Sequence, residues 1–109
     1  MSVRVVFLES AQHDLKDLRR YLTVNFGRPV WQSSYTKLKQ SIELIRRQPQ
    51  SGHVPDELVR LNLGPYRQVI SGMNRIVYEV REGVVYVHVV CDCRMDLMSL
   101  LAQRLLGNR

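Results

Sequence analysis

The chain has 109 residues, with 16 Lys and Arg against 10 Asp and Glu, 45% hydrophobic and 24% charged residues, and a formal charge of +6. That length suits a single domain spanning residues 1–109, and the composition excludes the low-hydrophobicity, high-charge range in which chains stay unfolded. The positive balance asks for an acidic partner: nucleic acid, a nucleoprotein machine or an acidic protein.

Residues 3–8 are rich in β-formers and read as a strand. This apolar run is too short for a secretory leader, and no stretch approaches the roughly 18 apolar residues of a membrane span, so the expected compartment is the cytoplasm with no membrane partner. Ser10 is the expected N-cap of a first helix, in which Ala11, Leu15, Leu18 and Leu22 recur at four- and three-residue steps and so share one face. The helix is expected to close at Asn25-Phe26-Gly27, with Gly27 in the turn and Pro29 in the first turn of a second helix. There Trp31, Tyr35, Leu38, Ile42 and Ile45 form a stripe suited to packing on a helix or sheet, and Pro49 ends it.

Residues 49–57 mix Pro, Gly, Ser and Asp without a period and read as a surface loop. Three β-prone runs follow at 66–70, 75–80 and 84–90, joined by short turns into antiparallel hairpins. After Cys93, the residues Leu97, Met98, Leu100, Leu101 and Leu105 define a short amphipathic helix capped by Asp96. This order predicts an α+β fold: an N-terminal strand, a two-helix hairpin, a three-stranded antiparallel run completing one sheet, and a short C-terminal helix. One helical layer is expected on one face of an antiparallel sheet.

His88, Cys91 and Cys93 bring an imidazole and two thiols close in sequence. A structural zinc site takes four ligands, however, and His13 and His53 fall on a helix and a loop with no supporting spacing. On a regular strand His88 also faces away from Cys91. No metal site is expected. Cys91 and Cys93, one residue apart, are poorly placed for a disulfide. The chain has no phosphate-cradling glycine loop, no Gly-x-Ser-x-Gly elbow and no evident carboxylate pair, so neither a cofactor nor a self-contained catalytic set is expected.

The strand, the helical hairpin, and YRQVISGMNRIVYEV followed by VVYVHVVCDCRMDL resemble the ParE/RelE superfamily of toxins of type II toxin–antitoxin systems, over essentially the whole chain. The tail CRMDLMSLLAQRLL, residues 94–106 above all, is similar to the ending of plasmid-type ParE toxins, where an Arg-Met-Asp-Leu-Met run leads into a short helix. The resemblance implies a protein that binds DNA gyrase, stabilises its cleaved-DNA state and blocks replication. It also implies a ParD-like antitoxin whose acidic, initially disordered C-terminal segment folds along the toxin in a hetero-oligomer. Arg67, Arg75, Arg94, Met95, Asp96, Met98 and Arg104 are the residues it assigns to the target, gyrase or RNA. Leu15, Leu18, Leu22, Trp31, Leu97 and Leu101 are candidates for antitoxin contact or for the core.

RelE-type members instead cleave messenger RNA in the ribosome, with basic residues on the sheet and a C-terminal tyrosine. Arg75 occupies the position of a functional arginine of those enzymes. The tyrosine position falls at about Met98 or Ser99, and every tyrosine here lies earlier, the last being Tyr86. A RelE-type mRNA endoribonuclease is therefore the alternative, and an inactive binding module a third reading. The residues also admit simpler roles: an arginine at a strand start is ordinarily solvated or salt-bridged, and Arg94 has Asp96 two residues on as an ion-pair partner.

Overall fold

The computed structural model describes residues 3–59 and 65–105, the last by its backbone only, so the side chain of Leu105 and the expected continuation to Leu106 lie outside the described residues. The elements are β1 (Arg4–Phe7), α1 (Glu9–Phe26), α2 (Arg28–Arg47), α3 (Asp56–Val59), β2 (Tyr66–Ser71), β3 (Asn74–Arg81), β4 (Val84–Asp92) and α4 (Leu97–Leu105).

The first helix starts one position earlier than its expected cap. Leu8 N still donates to Val87 O at 3.1 Å, holding the chain in the sheet until the residue before Glu9. Leu8 fills the cap position with extended backbone and no side-chain bond, which leaves Ser10 inside the first turn. Gly27 joins the helices alone: its N–H donates to Thr23 O at 3.1 Å, its carbonyl accepts from Trp31 N at 3.4 Å, and its φ of +95° is one that side chains rarely adopt.

The sheet order is β1-β4-β3-β2. β2, β3 and β4 form the expected antiparallel hairpins, but β1 lies parallel to β4, from Arg4 opposite Val84 to Phe7 opposite Val87, so the sheet is mixed. Hairpin pairing is local and follows from the turns. The partner of β1 lies 80 positions along the chain, and no local pattern specifies its direction.

Both faces of the sheet are covered, not one. On the first, Ala11, Leu38 and Ile45 of the hairpin pack on Ile76, Tyr78, Val85, Val87 and Val90. On the second, Leu58 of α3 and Leu97 and Leu101 of α4 pack on Tyr66, Val77, Val89 and Cys91. This is why β3 is buried at successive positions: Ile76 and Tyr78 turn one way, Val77 the other. Burial of a residue such as Ile45 or Leu97 contributes about 1.5–3 kcal/mol.

The expected stripe on α2 divides. Leu38, Ile42 and Ile45 join the first-face cluster, whereas Trp31 and Tyr35 stack on each other, with centroids 5.2 Å apart, outside it. The first-face cluster reaches only to Leu18 on α1 and Leu38 on α2, so Trp31 and Tyr35 fall beyond it.

β4 carries one extra residue, His88, because Val77 pairs with Val89 and Tyr78 with Val87. Such a bulge reverses the alternation. His88 therefore shares the second face with Cys91, where a regular strand would separate them.

Candidate macromolecular contact site

Arg75 points from β3 into the second face and is 5% exposed. Its Nη1 donates to Glu57 Oε1 at 3.2 Å and Gln68 Oε1 at 3.1 Å, and its Nη2 to Glu57 Oε2 at 2.7 Å and the Met95 carbonyl at 3.1 Å. One guanidinium thus ties α3, β2 and the turn before α4 to β3. The bonds from Arg75 hold the Glu57 carboxyl below the usual carboxylate range. With its carbonyl committed to Arg75, the Gln68 amide donates to His53 Nε2 at 3.1 Å, which assigns that nitrogen as the unprotonated one. His53 also forms a one-residue antiparallel bridge with Gln68, extending the β2 edge.

Arg67 is turned inward too, its Nη1 donating to Gly52 O at 2.7 Å and Gln50 O at 3.4 Å. The buried Tyr78 hydroxyl donates to Pro49 O at 2.7 Å and accepts from Gly52 N at 3.0 Å, so the loop after α2 is pinned from below. A Cβ at position 52 would overlap that hydroxyl and lie 2.8 Å from Gln68 O. Gly52→Ala is expected to cost about 1–3 kcal/mol, read as a lower urea midpoint.

The residues before α4 divide by role. Arg94 is exposed, and its partner is Asp92, not Asp96: Nε and Nη2 donate to the two Asp92 oxygens at 2.9 and 3.0 Å. Asp96 caps α4, accepting from Ser99 N at 3.2 Å and Ser99 Oγ at 2.8 Å. Met95 is 48% exposed, whereas Leu97 and Leu101 are buried and Met98 packs against their cluster.

Beside β4 runs a groove of about 770 Å³, floored by Leu18, Val90 and Leu100 and rimmed by Tyr21 and Met95. It exists because β1 ends at Phe7 while β4 continues to Asp92, leaving a sheet edge without a neighbouring strand. Side chains close part of that edge. Asp14 Oδ2 accepts from Val90 N at 3.0 Å, Arg104 Nη1 donates to His88 O at 2.8 Å, and Arg104 Nη2 meets Asp14 Oδ1 at 2.8 Å. Burial pushes the Asp14 carboxyl above its usual value despite the bonds from Arg104.

Of the target-facing candidates, Arg67, Arg75 and Arg104 are thus committed to the fold, Asp96 to capping and Met98 to packing, while Arg94 and Met95 lie exposed at the groove. Of the antitoxin candidates, Leu97 and Leu101 are core, Leu15 and Leu18 pack against the first-face cluster, and Leu22 and Trp31 are half-buried. Sequence reasoning missed Asp14, Glu57 and Gln68, whose signal is only that a buried arginine needs acceptors. It also missed the bond between His88 Nε2 and Glu79 Oε1 at 2.7 Å, beside the Tyr66 ring. Burial pushes the Cys91 thiol up, and Cys93 is exposed in the turn. Among the described residues no group of three or more His, Cys, Asp or Glu is placed to hold a metal, and no helix is long and apolar enough to cross a membrane.

A mixed four-stranded sheet with a helical hairpin on one face and a short C-terminal helix on the other is shared with solved toxin structures. One belongs to the chromosomal ParDE toxin–antitoxin system from P. aeruginosa (TM-score 0.69, 11% identity, covering 84% of this chain and 96% of that one). Another is the E. coli toxin RelE, doubly substituted and in the free state (TM-score 0.63, 15% identity, covering 98% of each chain). At these identities the likeness is one of fold. No curated protein matches the chain. The family model of the ParE toxin of the type II toxin-antitoxin system parDE matches residues 5–97, and the chain belongs to that family.

Proposed function

We propose that the chain is a ParE-type poison of DNA gyrase that acts in the cytoplasm by binding and not by breaking a bond, held by a ParD-like antitoxin with an acidic C-terminal segment. The observation that carries this reading is the inward commitment of Arg75 and Arg67 to Glu57, Gln68 and main-chain carbonyls. Cleavage at a 2′-hydroxyl needs a group to take its proton and free cations facing the phosphate. Here those two cations are consumed, and the last tyrosine precedes the tail.

The groove beside β4 is the seat for the antitoxin. Leu18 and Leu100 offer an apolar floor, Tyr21 and Met95 a rim, and Arg94 a cation at its mouth. A disordered acidic segment loses entropy on ordering there, which burial of its apolar anchors offsets, while the +6 charge speeds its approach. The P. aeruginosa ParDE likeness supports such a partner for this fold.

Induced expression of the intact chain in bacteria tests the reading. Growth arrest with DNA-damage signalling, relieved by the antitoxin encoded beside the gene, is expected. Arrest with cut ribosome-bound mRNA and no DNA damage would assign the RelE-type activity instead.

A further inference from the structure

The hairpin carries more helix than the fold uses. Packing against the first-face cluster stops at Leu18 on α1 and resumes at Leu38 on α2, and no residue of 19–37 joins that cluster. The overhang is not ordinarily solvated: on α1 Val24 is 76% exposed, Phe26 58% and Tyr21 54%, and on α2 Val30 and Tyr35 are exposed on different sides of the helix. Tyr21 and Phe26 meet edge to face at 6.0 Å. From Leu18 to Ile42 the sequence has no Asp or Glu, while Arg19, Arg20, Arg28, Lys37 and Lys39 are all exposed.

Exposed aromatic rings among arginines, with Asp17 beside them paired to Arg20 at 3.9 Å and the cations in excess, are the make-up of a protein–protein interface. A nucleic-acid platform uses cations and rings but has no use for solvent-facing valines such as Val24 and Val30. A second copy on the same face is opposed by like charge. The chemistry that fits is an acidic protein surface with apolar anchors.

We infer that the overhang is a second docking surface, separate from the groove, and that its occupant is such an acidic surface on the target enzyme. This assignment rests on the gyrase reading above. The groove is concave and suits a segment that folds as it binds, whereas two helix ends beyond the first-face cluster suit a cleft in a large, already folded partner. The two surfaces adjoin at Tyr21, which lines the groove and packs on Phe26. A segment seated in the groove therefore obstructs the near side of the overhang.

The test measures binding of the full chain to immobilised gyrase holoenzyme. The double variant Val24→Glu/Arg28→Glu lies outside the core and is expected to melt as the wild type does, yet bind gyrase at least about tenfold more weakly. Glu82→Gln, in the exposed turn between β3 and β4 and outside both surfaces, is expected to bind within about twofold of wild type, whereas loss of binding in Met95→Glu, at the groove rim, would move the target contact to the groove. Should the double variant fail to fold, Arg20→Gln/Arg28→Gln removes charge alone and is expected to weaken binding several-fold. If the wild type binds and the overhang variants bind equally well, or if Met95→Glu alone abolishes binding, the inference is overturned while the gyrase reading stands. If the wild type does not bind gyrase at all, that reading falls and takes this assignment with it. Salt-sensitive binding of the wild type to a short DNA duplex, lost in the overhang variants while gyrase binding is kept, would give the surface to nucleic acid and overturn the proposal.

Discussion

Arg75→Met is expected to lower the unfolding free energy by about 2–4 kcal/mol, measured by urea denaturation at neutral pH. Methionine fills the volume of the arginine stem but supplies no donor, so Glu57, Gln68 and the Met95 carbonyl all lose their bond. The cost falls below that of breaking a fully buried pair because the Glu57 side chain is 35% exposed and regains water. Lysine is not expected to rescue, since one ammonium cannot face a carboxylate, an amide carbonyl and a main-chain carbonyl together. The pH dependence has a definite sign. Glu57 titrates below its unfolded value of 4.5, so its contribution is present above that pH and is lost as pH falls through the lower folded value. The gap between wild type and variant should therefore narrow in acid. A variant as stable as wild type but unable to bind its target would return Arg75 to the contact surface.

Arg104→Met should cost a comparable amount, about 2–4 kcal/mol, and its deficit should also narrow in acid, but because the variant recovers and not because wild type weakens. It leaves the Asp14 carboxylate, 15% exposed, without its cation, and removes the donor to His88 O at the open edge of β4. Replacing a buried ion pair by apolar groups is often harmless. Here a main-chain carbonyl depends on the same guanidinium, which makes the substitution costly. Asp14 already titrates above 3.8 in the folded chain, and without Arg104 it should rise further. A carboxyl raised on folding weighs against stability as pH climbs from its unfolded value through its folded one. The Arg104→Met deficit is therefore expected to be largest at neutral pH and to recover in acid, where Arg75→Met also converges on wild type because wild type itself weakens. Urea titrations of the three proteins across that range separate the two causes.

The elements were legible because their signal is local. The spacing of Leu15, Leu18 and Leu22, the Gly27–Pro29 punctuation and the β-prone runs after residue 65 each depend on neighbours a few positions away. What sequence hid is what depends on distant partners. The direction of β1 is set by pairing with Val84–Val87 of β4, and the cover on the second face depends on Leu58 in a one-turn helix too short to have a period. The bulge at His88 alters which face its side chain joins without leaving a mark in composition. The arginines make the same point for the site. Arg67, Arg75, Arg94 and Arg104 look alike as letters, yet three are drawn inward to acceptors on elements that only the fold brings together, while Arg94 stays exposed and pairs with Asp92 two residues away. Within the tail, the cap at Asp96 was readable from its place before a leucine-rich run, whereas the partnership of Arg104 with Asp14, 90 positions away, was not.

Purified chain added to gyrase and supercoiled plasmid measures the central claim most directly. Trapped linear DNA after protein denaturation, rising with toxin concentration and without any cut in ribosome-bound mRNA in a parallel translation mixture, is the predicted result. Plasmid that stays uncut and fully supercoilable, with mRNA cleaved in ribosomes, would contradict it.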